Sequence, residues 1–278
     1  MERIKKALER AKARNTKASQ EVYIDLDKGS QEKRGDERKE QQTLENLDYK
    51  YTKVVALNNK QLERNRIVAH NKNHLQTLSF DLLRTQVLKK MQDNNWKTLA
   101  ITSPTPNAGK TVVAINLAMS IAHQTEKSAM LVDFDLKRPK ISTYLGLNQQ
   151  TSLNDVLAGD KEIQDVLINP GVPRLVILPT SKPVVNSAET LSSSKVTDLL
   201  DDFKNRYDDR IVIIDLPPLL YADDALSILP HVDCVLMIVG NGMNKKKEIE
   251  DSLSHLPSSN LLGVVLNKSN EETKRYYQ

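Results

Sequence analysis

The stretch Ser103–Thr111 constrains the fold of this chain more than any other part of its 278 residues. It reads Ser-Pro-Thr-Pro-Asn-Ala-Gly-Lys-Thr and lies between the apolar run Leu99–Ile101 and a mostly apolar run over residues 112–122. A buried strand, a tight loop ending in Gly-Lys-Thr and a helix form the context of a phosphate-binding P-loop. Backbone N–H groups of such a loop and of the helix N-terminus converge and favour an anion. The sequence therefore predicts a nucleotide-phosphate site.

The loop supplies most of the expected nucleotide-binding residues. Lys110 is expected to reach the β- and γ-phosphates, and the Thr111 hydroxyl is expected to bind Mg²⁺. Pro104 stands where the usual G-x-x-x-x-G-K-[ST] pattern has its first glycine, so a chance Gly-Lys-Thr is the alternative interpretation. The residues expected to contact the nucleotide are Pro106, Asn107, Ala108, Gly109, Lys110, Thr111 and Val112.

Two further apolar stretches end in acidic residues. Residues 129–132 precede Asp133 and Asp135, and residues 211–214 precede Asp215. Ligands bind at the carboxyl ends of the strands in an open parallel sheet, so these acids are expected beside the P-loop. The alternative is a strand that ends in a solvated turn. We predict a Mg²⁺ site with the ligands Thr111, Asp135 and Asp215.

The charge distribution divides the chain into three parts. Residues 1–72 carry 18 basic and 12 acidic residues, whereas the whole chain has a net charge of +4. We predict a basic leader or linker over residues 1–72, mostly disordered and with a possible short N-terminal helix, because so polar a segment cannot offset its ordering entropy. The P-loop domain is expected over residues 73–270, and residues 271–278 are expected to form an exposed, tyrosine-bearing tail.

Features that the sequence lacks indicate where the protein is expected to be located and which partners are not expected. No apolar run approaches the ~20 residues that span a bilayer, and the N-terminus lacks the apolar segment of a secretory signal. We therefore expect a cytoplasmic protein. The single cysteine, Cys234, excludes an internal disulfide and is expected to be a buried strand residue. No nucleic acid partner is expected, because no aromatic residues interleave with the basic charge of the leader.

Apolar runs alternate with helical patterns from about residue 75 onward. This alternation predicts an α/β P-loop NTPase fold with a mainly parallel sheet flanked by helices. Strands are expected at 97–102, 129–132, 175–178, 211–215, 234–239 and 261–267, and helices at 110–124, 152–159, 195–207 and 244–255. A helix packed on the sheet before the first strand is predicted from the spacing of Leu75, Leu78, Leu82, Val87 and Leu88.

Three motifs together resemble those of the bacterial tyrosine kinase (BY-kinase) family. They are the P-loop at 103–111, Asp-x-Asp-x-x-Arg-Pro at 133–139 and Asp-x-Pro-Pro at 215–218. The resemblance extends from about residue 75 to the end of the chain. Members of the family often carry E-x-x-R-x-x-R on the helix before the first strand, where it builds a ring of protomers. Here the corresponding residues are Leu78, Asp81 and Arg84.

The resemblance implies an ATP- and Mg²⁺-dependent protein-tyrosine autokinase that regulates exopolysaccharide or capsule polymerisation and export. It implies that Lys110 and Asp135 take part in catalysis, and that Asp133 orients the attacking tyrosine hydroxyl or accepts its proton. Arg138 is expected to contact phosphate or a neighbouring subunit. Resemblance to related P-loop ATPases further implies that Asn267 contacts the adenine.

The same resemblance implies partners and acceptors. Tyr276 and Tyr277 are the expected phosphate acceptors, in the tail of a neighbouring protomer. A membrane activator of the chain-length-regulator type is expected to complete the site, which implies peripheral association with the inner face of the cell membrane through that partner.

Two other functions fit the same motifs. The chain could be a non-kinase ATP-binding switch of the polysaccharide export machinery, which the sparse tyrosine tail favours. It could also be a partition-type ATPase. Those proteins have a signature lysine five residues before the conserved lysine of the loop, and here that position is Thr105.

Overall fold

The strands of this protein are short apolar runs that form one sheet, and helices connect them. The computed structural model describes residues 52–124, 126–256 and 260–269. The strands within these ranges are β1 (Lys53–Val54), β2 (Thr98–Thr102), β3 (Ser128–Asp133), β4 (Ile168–Asn169), β5 (Leu175–Leu178), β6 (Arg210–Asp215), β7 (Cys234–Gly240) and β8 (Leu261–Asn267). They are ordered β1-β4-β5-β3-β6-β2-β7-β8, and neighbours pair in parallel except for β4 with β5. The predicted mainly parallel α/β fold is therefore confirmed.

Helices supply the crossover connections that parallel neighbours require. The described helices are α1 (Asn59–Arg64), α2 (Thr77–Asp93), α3 (Lys110–Ala122), α4 (Ile141–Leu145), α5 (Leu153–Ala158), α6 (Ile163–Val166), α7 (Ser187–Leu191), α8 (Ser194–Asn205), α9 (Asp224–Ile228) and α10 (Lys246–Ser254). A 3₁₀ turn, Leu229–His231, follows α9. Within the described ranges, none of the helices combines the length and apolarity that crossing a bilayer demands.

The strands β2, β3 and β7 are buried along their whole length, with apolar cores on both faces of the sheet. Successive side chains of a strand point to opposite faces. Leu99 and Ile101 accordingly pack into the core that contains α3, and Ala100 packs into the core that contains α8. Cys234 is buried in β7, as predicted. Coverage on both faces explains why these strands are continuous apolar runs.

Residues 52–72 belong to the folded domain, which corrects the predicted leader boundary at residue 72. β1 pairs with β4, and α1 carries Leu62 into the core, where Ile67 and Ala69 are also fully buried. Contacts with distant parts of the chain bury these residues, and their own sequence shows no regular helical or strand periodicity. The sequence pattern therefore does not indicate their burial. The predicted leader up to residue 51 and the predicted tail over 271–278 lie outside the described residues.

The helix predicted before the first strand exists as α2, but only part of its apolar pattern faces the core. Val87 is buried and Leu88 packs against the core. Leu75 precedes the helix and is exposed, and the side chains of Leu78 and Leu82 are 54% and 58% exposed. The prediction that all five leucine and valine positions pack on the sheet was therefore wrong. Their spacing was compatible with a helix without deciding which face the sheet covers.

Leu62→Ala should destabilise the protein by about 2–5 kcal/mol, because it leaves a cavity in a core that cannot fully collapse. Leu78→Ala removes the same atoms from an exposed position and serves as the matched control. Urea denaturation of both variants measures the free energy of unfolding. Equal, small effects of the two substitutions would show that the segment carrying Leu62 does not pack on the domain.

Candidate nucleotide site

The loop between β2 and α3 has the backbone geometry that a P-loop needs. Gly109 lies at the N-terminus of α3 with φ of 97°, in the left-handed region that favours glycine. A Cβ built there would clash with Nδ2 of Asn267. That amide donates a hydrogen bond to the Ala108 carbonyl oxygen at 2.8 Å, so the end of β8 braces the loop. A side chain at 109 would thus have a strained backbone and would displace the Asn267 amide from the loop.

Lys110 lies buried between two carboxylates at the carboxyl edge of the sheet. Its Nζ lies 2.8 Å from Oδ2 of Asp135 and 3.4 Å from Oδ1 of Asp215. The Thr111 hydroxyl donates to Oδ2 of Asp215 at 2.6 Å. The two motifs that sequence analysis placed beside the loop therefore meet it, because β3, β6 and β2 are consecutive in the sheet.

Asp133 is fully buried, and its carboxylate is occupied by backbone N–H groups. Oδ2 accepts hydrogen bonds from the amides of Lys140 and Ile141 at 3.1 and 3.0 Å, and Oδ1 accepts from the Asp135 amide at 3.3 Å. These contacts tie the end of β3 to the start of α4. They fix the loop that carries Asp135, a structural task which the sequence motif did not reveal.

The carboxylates of Asp133, Asp135 and Asp215 surround the single ammonium group of Lys110, and burial makes the charged form of a carboxyl group unfavourable. Burial raises the pKa of Asp133 well above its ordinary value, and the charge of Asp215 raises it further. Burial also raises the pKa of Asp215, although Lys110 and the Thr111 hydroxyl oppose the shift. For Lys110, burial lowers the pKa, but attraction by Asp215 and Asp135 outweighs it and the net shift is upward. The site therefore holds a firmly protonated lysine beside buried carboxyl groups whose protonated forms burial favours.

Oxygen donors suited to Mg²⁺ meet at this point of the site. The Thr111 hydroxyl and the carboxylates of Asp135 and Asp215 form one contact network through Lys110. Mg²⁺ in phosphoryl-transfer sites is bound by one or two carboxylates together with substrate phosphates and water. No cluster of three or more His, Cys, Asp or Glu forms a self-contained metal cage within the described ranges. The donors present thus fit a cation that is shared with a phosphate ligand.

A cavity of about 620 Å³ opens over the loop and contains many of the predicted residues. The predicted residues that line it are Pro106, Asn107, Gly109, Lys110, Thr111, Val112, Asp135 and Arg138. Ala108, Asp133, Asp215 and Asn267 are not part of its lining. The first three are buried beneath it, and Asn267 braces the loop. Tyr276 and Tyr277 lie outside the described residues.

Sequence analysis missed the part of the lining that comes from the segment ahead of α2 and from the residues around α4. These residues are Arg64, Asn65, Arg66, Lys140 and Tyr144. Arg64, Asn65 and Arg66 lie in the predicted linker, and Lys140 and Tyr144 lie just after the motif at 133–139, so no motif marked any of them. The one available signal was the apolar run Ile67–Ala69, which is buried in the structure.

Asp133→Asn should gain stability relative to the wild type as pH rises. The folded-state pKa of Asp133 is raised, so folding favours its protonated form, and the cost of its charge grows above the unfolded value of ~4. The variant carries no charge there and avoids that cost. Melting temperatures between about pH 5 and pH 8 measure the difference, with Asp251→Asn at an exposed position of α10 as the control. A constant difference across this range would contradict the raised pKa.

Comparison with known proteins agrees with this geometry. The family model described as "AAA domain" matches residues 96–243. A putative tyrosine-protein kinase EpsB of Ralstonia nicotianae is 34% identical over 196 residues, which cover 70% of this chain and 26% of that protein. The tyrosine-protein kinase CpsD of Streptococcus agalactiae is 29% identical over 200 residues, covering 71% and 85%. The chain thus spans about a quarter of the Ralstonia relative and most of the streptococcal one.

Solved structures give the same picture. The kinase domain of the Escherichia coli tyrosine kinase ETK superposes with a TM-score of 0.63 and 29% identity, covering 70% of this chain and 76% of that one. The strands and loops that hold the site are therefore those of a known kinase architecture. These relatives are thus named as tyrosine kinases. Since the family model spans more than half of the chain, this protein belongs to the AAA domain family.

Proposed function

We propose that this chain is an ATP- and Mg²⁺-dependent protein-tyrosine kinase of an exopolysaccharide or capsule system. The observation that carries the proposal is the buried Lys110 between Asp135 and Asp215, at the N-terminus of α3. A lysine held at the amide-lined end of a helix matches the β- and γ-phosphates of a nucleotide. The similarity to proteins named tyrosine kinases supports tyrosine as the acceptor.

In this proposal, the loop amides and Lys110 bind the phosphates, and Thr111, Asp135 and Asp215 hold the Mg²⁺. The cation supplies charge neutralisation for the transferring phosphoryl group. Lys110 leaves its carboxylate partners for the phosphates on binding. Asn267 uses its Nδ2 on the loop, so its Oδ1 stays available to accept a hydrogen bond from the adenine amino group. Arg138, which lines the cavity, contacts a phosphate or a neighbouring subunit.

Transfer then requires an acceptor hydroxyl in line with the γ-phosphorus. The tyrosine oxygen forms a bond to that phosphorus, the bond to the β–γ bridging oxygen breaks, and ADP leaves. Asp133 takes the hydroxyl proton, and burial raises the pKa of its carboxyl group above the ordinary value, which makes it a stronger proton acceptor. This role requires the nucleotide-bound protein to uncover one oxygen of Asp133. Electrostatic stabilisation by Lys110 and the loop amides supplies most of the remaining effect.

We further propose that Tyr276 and Tyr277 are the acceptors, in the tail of a second protomer. A membrane activator of the chain-length-regulator type would complete the site and keep the protein at the inner face of the cell membrane. Within the protein, Asp81 pairs with Arg84 at 2.7 Å, and Arg84 also donates to the Ser120 carbonyl oxygen. Both side chains are thus engaged within their own protomer, and contacts between protomers would rest on other residues.

Lys110→Met should lower ATP affinity by tenfold or more, because one charge-assisted contact is worth roughly 1.5–3 kcal/mol. It also leaves Asp135 and Asp215 without their cation, so a lower melting temperature is expected as well. Calorimetric titration with ATP measures the affinity. Lys247→Met, at an exposed position of α10, is the control. Unchanged ATP binding by a folded Lys110→Met protein would reject this site.

Asp133→Asn should abolish phosphotransfer while ATP still binds, since proton-acceptor and positioning roles are typically worth about 10²–10⁴ in rate. Replacing Tyr276 and Tyr277 together by Phe should remove the phosphotyrosine signal without weakening ATP binding. Phosphotyrosine mass spectrometry after incubation with ATP and Mg²⁺, with and without the membrane partner, reads out both. If the wild type binds ATP and forms no phosphotyrosine in either condition, the ATP-binding switch replaces the kinase as the function.

A further inference from the structure

Four exposed cations line one side of the nucleotide cavity. Arg64 and Arg66 come from the end of α1 and the turn after it, and Arg138 and Lys140 come from the loop between β3 and α4. Within the described ranges, no carboxylate pairs with any of the four, whereas Lys110 and Lys137 in the same lining do have carboxylate partners. We call these four residues the basic wall. Their charges face the cavity without local compensation.

Hydrogen bonds from the P-loop helix hold the backbone at Arg66 in place. Arg66 has a φ of 60°, a left-handed conformation that residues with a side chain rarely adopt. Asn116, buried on α3, fixes the turn: its Nδ2 donates to the Arg66 carbonyl oxygen at 3.0 Å, and its Oδ1 accepts from the amides of Val68 and Ala69 at 2.8 and 2.9 Å. The Ile67 amide also donates to the Leu62 carbonyl oxygen at 2.8 Å, so Arg66 occupies the left-handed position of a helix C-terminal motif and its backbone is held on both sides.

Further hydrogen bonds join α1 to α4, the other support of the basic wall. Asn65 Nδ2 donates to the Tyr144 carbonyl oxygen at 2.7 Å, and Gln61 Nε2 donates to that of Thr143 at 3.2 Å. The four cations are therefore presented by two elements that are bonded to each other and to the P-loop helix. Such a preformed surface binds a ligand without first ordering its own backbone.

Strand order indicates which end of the nucleotide the basic wall faces. β3 and β8 lie on opposite sides of β2, whose end carries the P-loop. Arg138 and Lys140 of the basic wall follow β3, as does Asp135, the acid that lies against Lys110. The turn that carries Arg66 is hydrogen-bonded to α4, which comes next in the chain. Lys268 and Asn267 follow β8 and contact the loop from the other side. With the base on the β8 side, as proposed above, the basic wall lies on the side from which the acceptor approaches.

We propose that the basic wall binds acidic residues that flank the acceptor tyrosine of a second protein, so that the preferred substrate other than the chain's own tail is an acidic tyrosine-bearing peptide. In that tail, Lys274 and Arg275 directly precede Tyr276. This inference rests on the proposed kinase function. Lys110 and the loop amides are the main phosphate contacts in the proposed function, and the four outer cations have no carboxylate partner among the described residues. Arg138 is therefore assigned here to the acceptor and not to a phosphate. Of the acidic residues, only Asp135 is found in the cavity lining, and it is paired with Lys110. The cavity thus attracts an anionic peptide and repels a cationic one.

Two matched hexapeptides test this proposal: one has a single tyrosine flanked by glutamates, and the other has glutamines in their place. With ATP and Mg²⁺, the wild type should show a KM for the glutamate peptide at least threefold lower than for the glutamine peptide. The double substitution Arg64→Ala with Arg66→Ala should raise the KM for the glutamate peptide about threefold to tenfold with kcat unchanged, since exposed charge pairs contribute modestly. Added salt should reduce the wild-type preference.

Controls separate this proposal from the proposed function. Lys247→Ala removes an exposed charge outside the cavity and should leave both KM values unchanged. Arg64→Glu, at an exposed position, provides a second variant if the double substitution lowers the melting temperature, and it should weaken binding of the glutamate peptide further. Fluorescence anisotropy of both labelled peptides, with a non-hydrolysable ATP analogue present, reports binding even if no phosphotyrosine forms. In that case the kinase function fails, and the Kd values alone decide on the basic wall.

Equal affinity of the wild type for the two peptides would overturn the proposal. So would an unchanged preference in the double variant and in Arg64→Glu. A loss of ATP affinity in the double variant would also overturn it, because Arg64 and Arg66 would then belong to the nucleotide site. A selective loss of glutamate-peptide binding, with ATP affinity retained, supports it.

Discussion

The contact of one buried ammonium group with two carboxylates organises the functional edge of this protein. Lys110 comes from the start of α3, Asp135 from the loop after β3 and Asp215 from the end of β6. These elements can meet only if β3, β6 and β2 are consecutive and in the observed register, where Asp133 lies opposite Asp215. Burying the carboxylates of Asp135 and Asp215 without a counter-ion would cost a large amount of free energy. The ammonium group of Lys110 compensates their charge, which the apolar side chains of the strands cannot do.

Around this contact, single polar side chains hold the loops in place through hydrogen bonds to the backbone. Asp133 holds the start of α4 through two backbone amides. Asn116 holds the turn at Arg66 through one Nδ2 hydrogen bond and two that its Oδ1 accepts. Asn267 braces the P-loop from the far side. Each is a short side chain that bonds to backbone, so the positions of three loops depend on residues that never line the cavity. Precise positioning of the lining residues is what phosphoryl transfer depends on.

The parts of the fold that follow from local pattern were predictable, and those that follow from tertiary packing were not. Apolar runs such as Leu175–Leu178 and Leu261–Asn267 have the right length for strands and lie where expected. The P-loop and its acids were recognisable because their chemistry requires fixed spacings. In contrast, Leu62 is buried by a surface that sequence does not display, and Leu78 is exposed despite helical spacing.

The same division applies to the site. Lys110 and Asp135 stand in motifs that follow predicted parallel strands, so their convergence could be predicted from the rule that ligands bind at the carboxyl ends of such strands. Arg64 and Arg66 lie in a segment without a motif, and their contribution depends on the Asn116 contact with a turn some fifty residues earlier in the chain. Long-range hydrogen bonds of this kind leave no local periodicity. The short helices at Ser187–Leu191 and Asp224–Ile228 were missed for a related reason, because so few turns give no readable repeat.

The pairing of Lys110 with Asp135 also bears on the order in which ligands arrive. A triphosphate that draws the lysine away leaves Asp135 and Asp215 facing each other without a counter-ion, in surroundings where charge is poorly screened. A divalent cation would then neutralise the two carboxylates. Without a nucleotide, the ammonium group of Lys110 already compensates their charge. In the proposed function, metal and nucleotide therefore bind with positive thermodynamic coupling, and each is a weak ligand when offered alone.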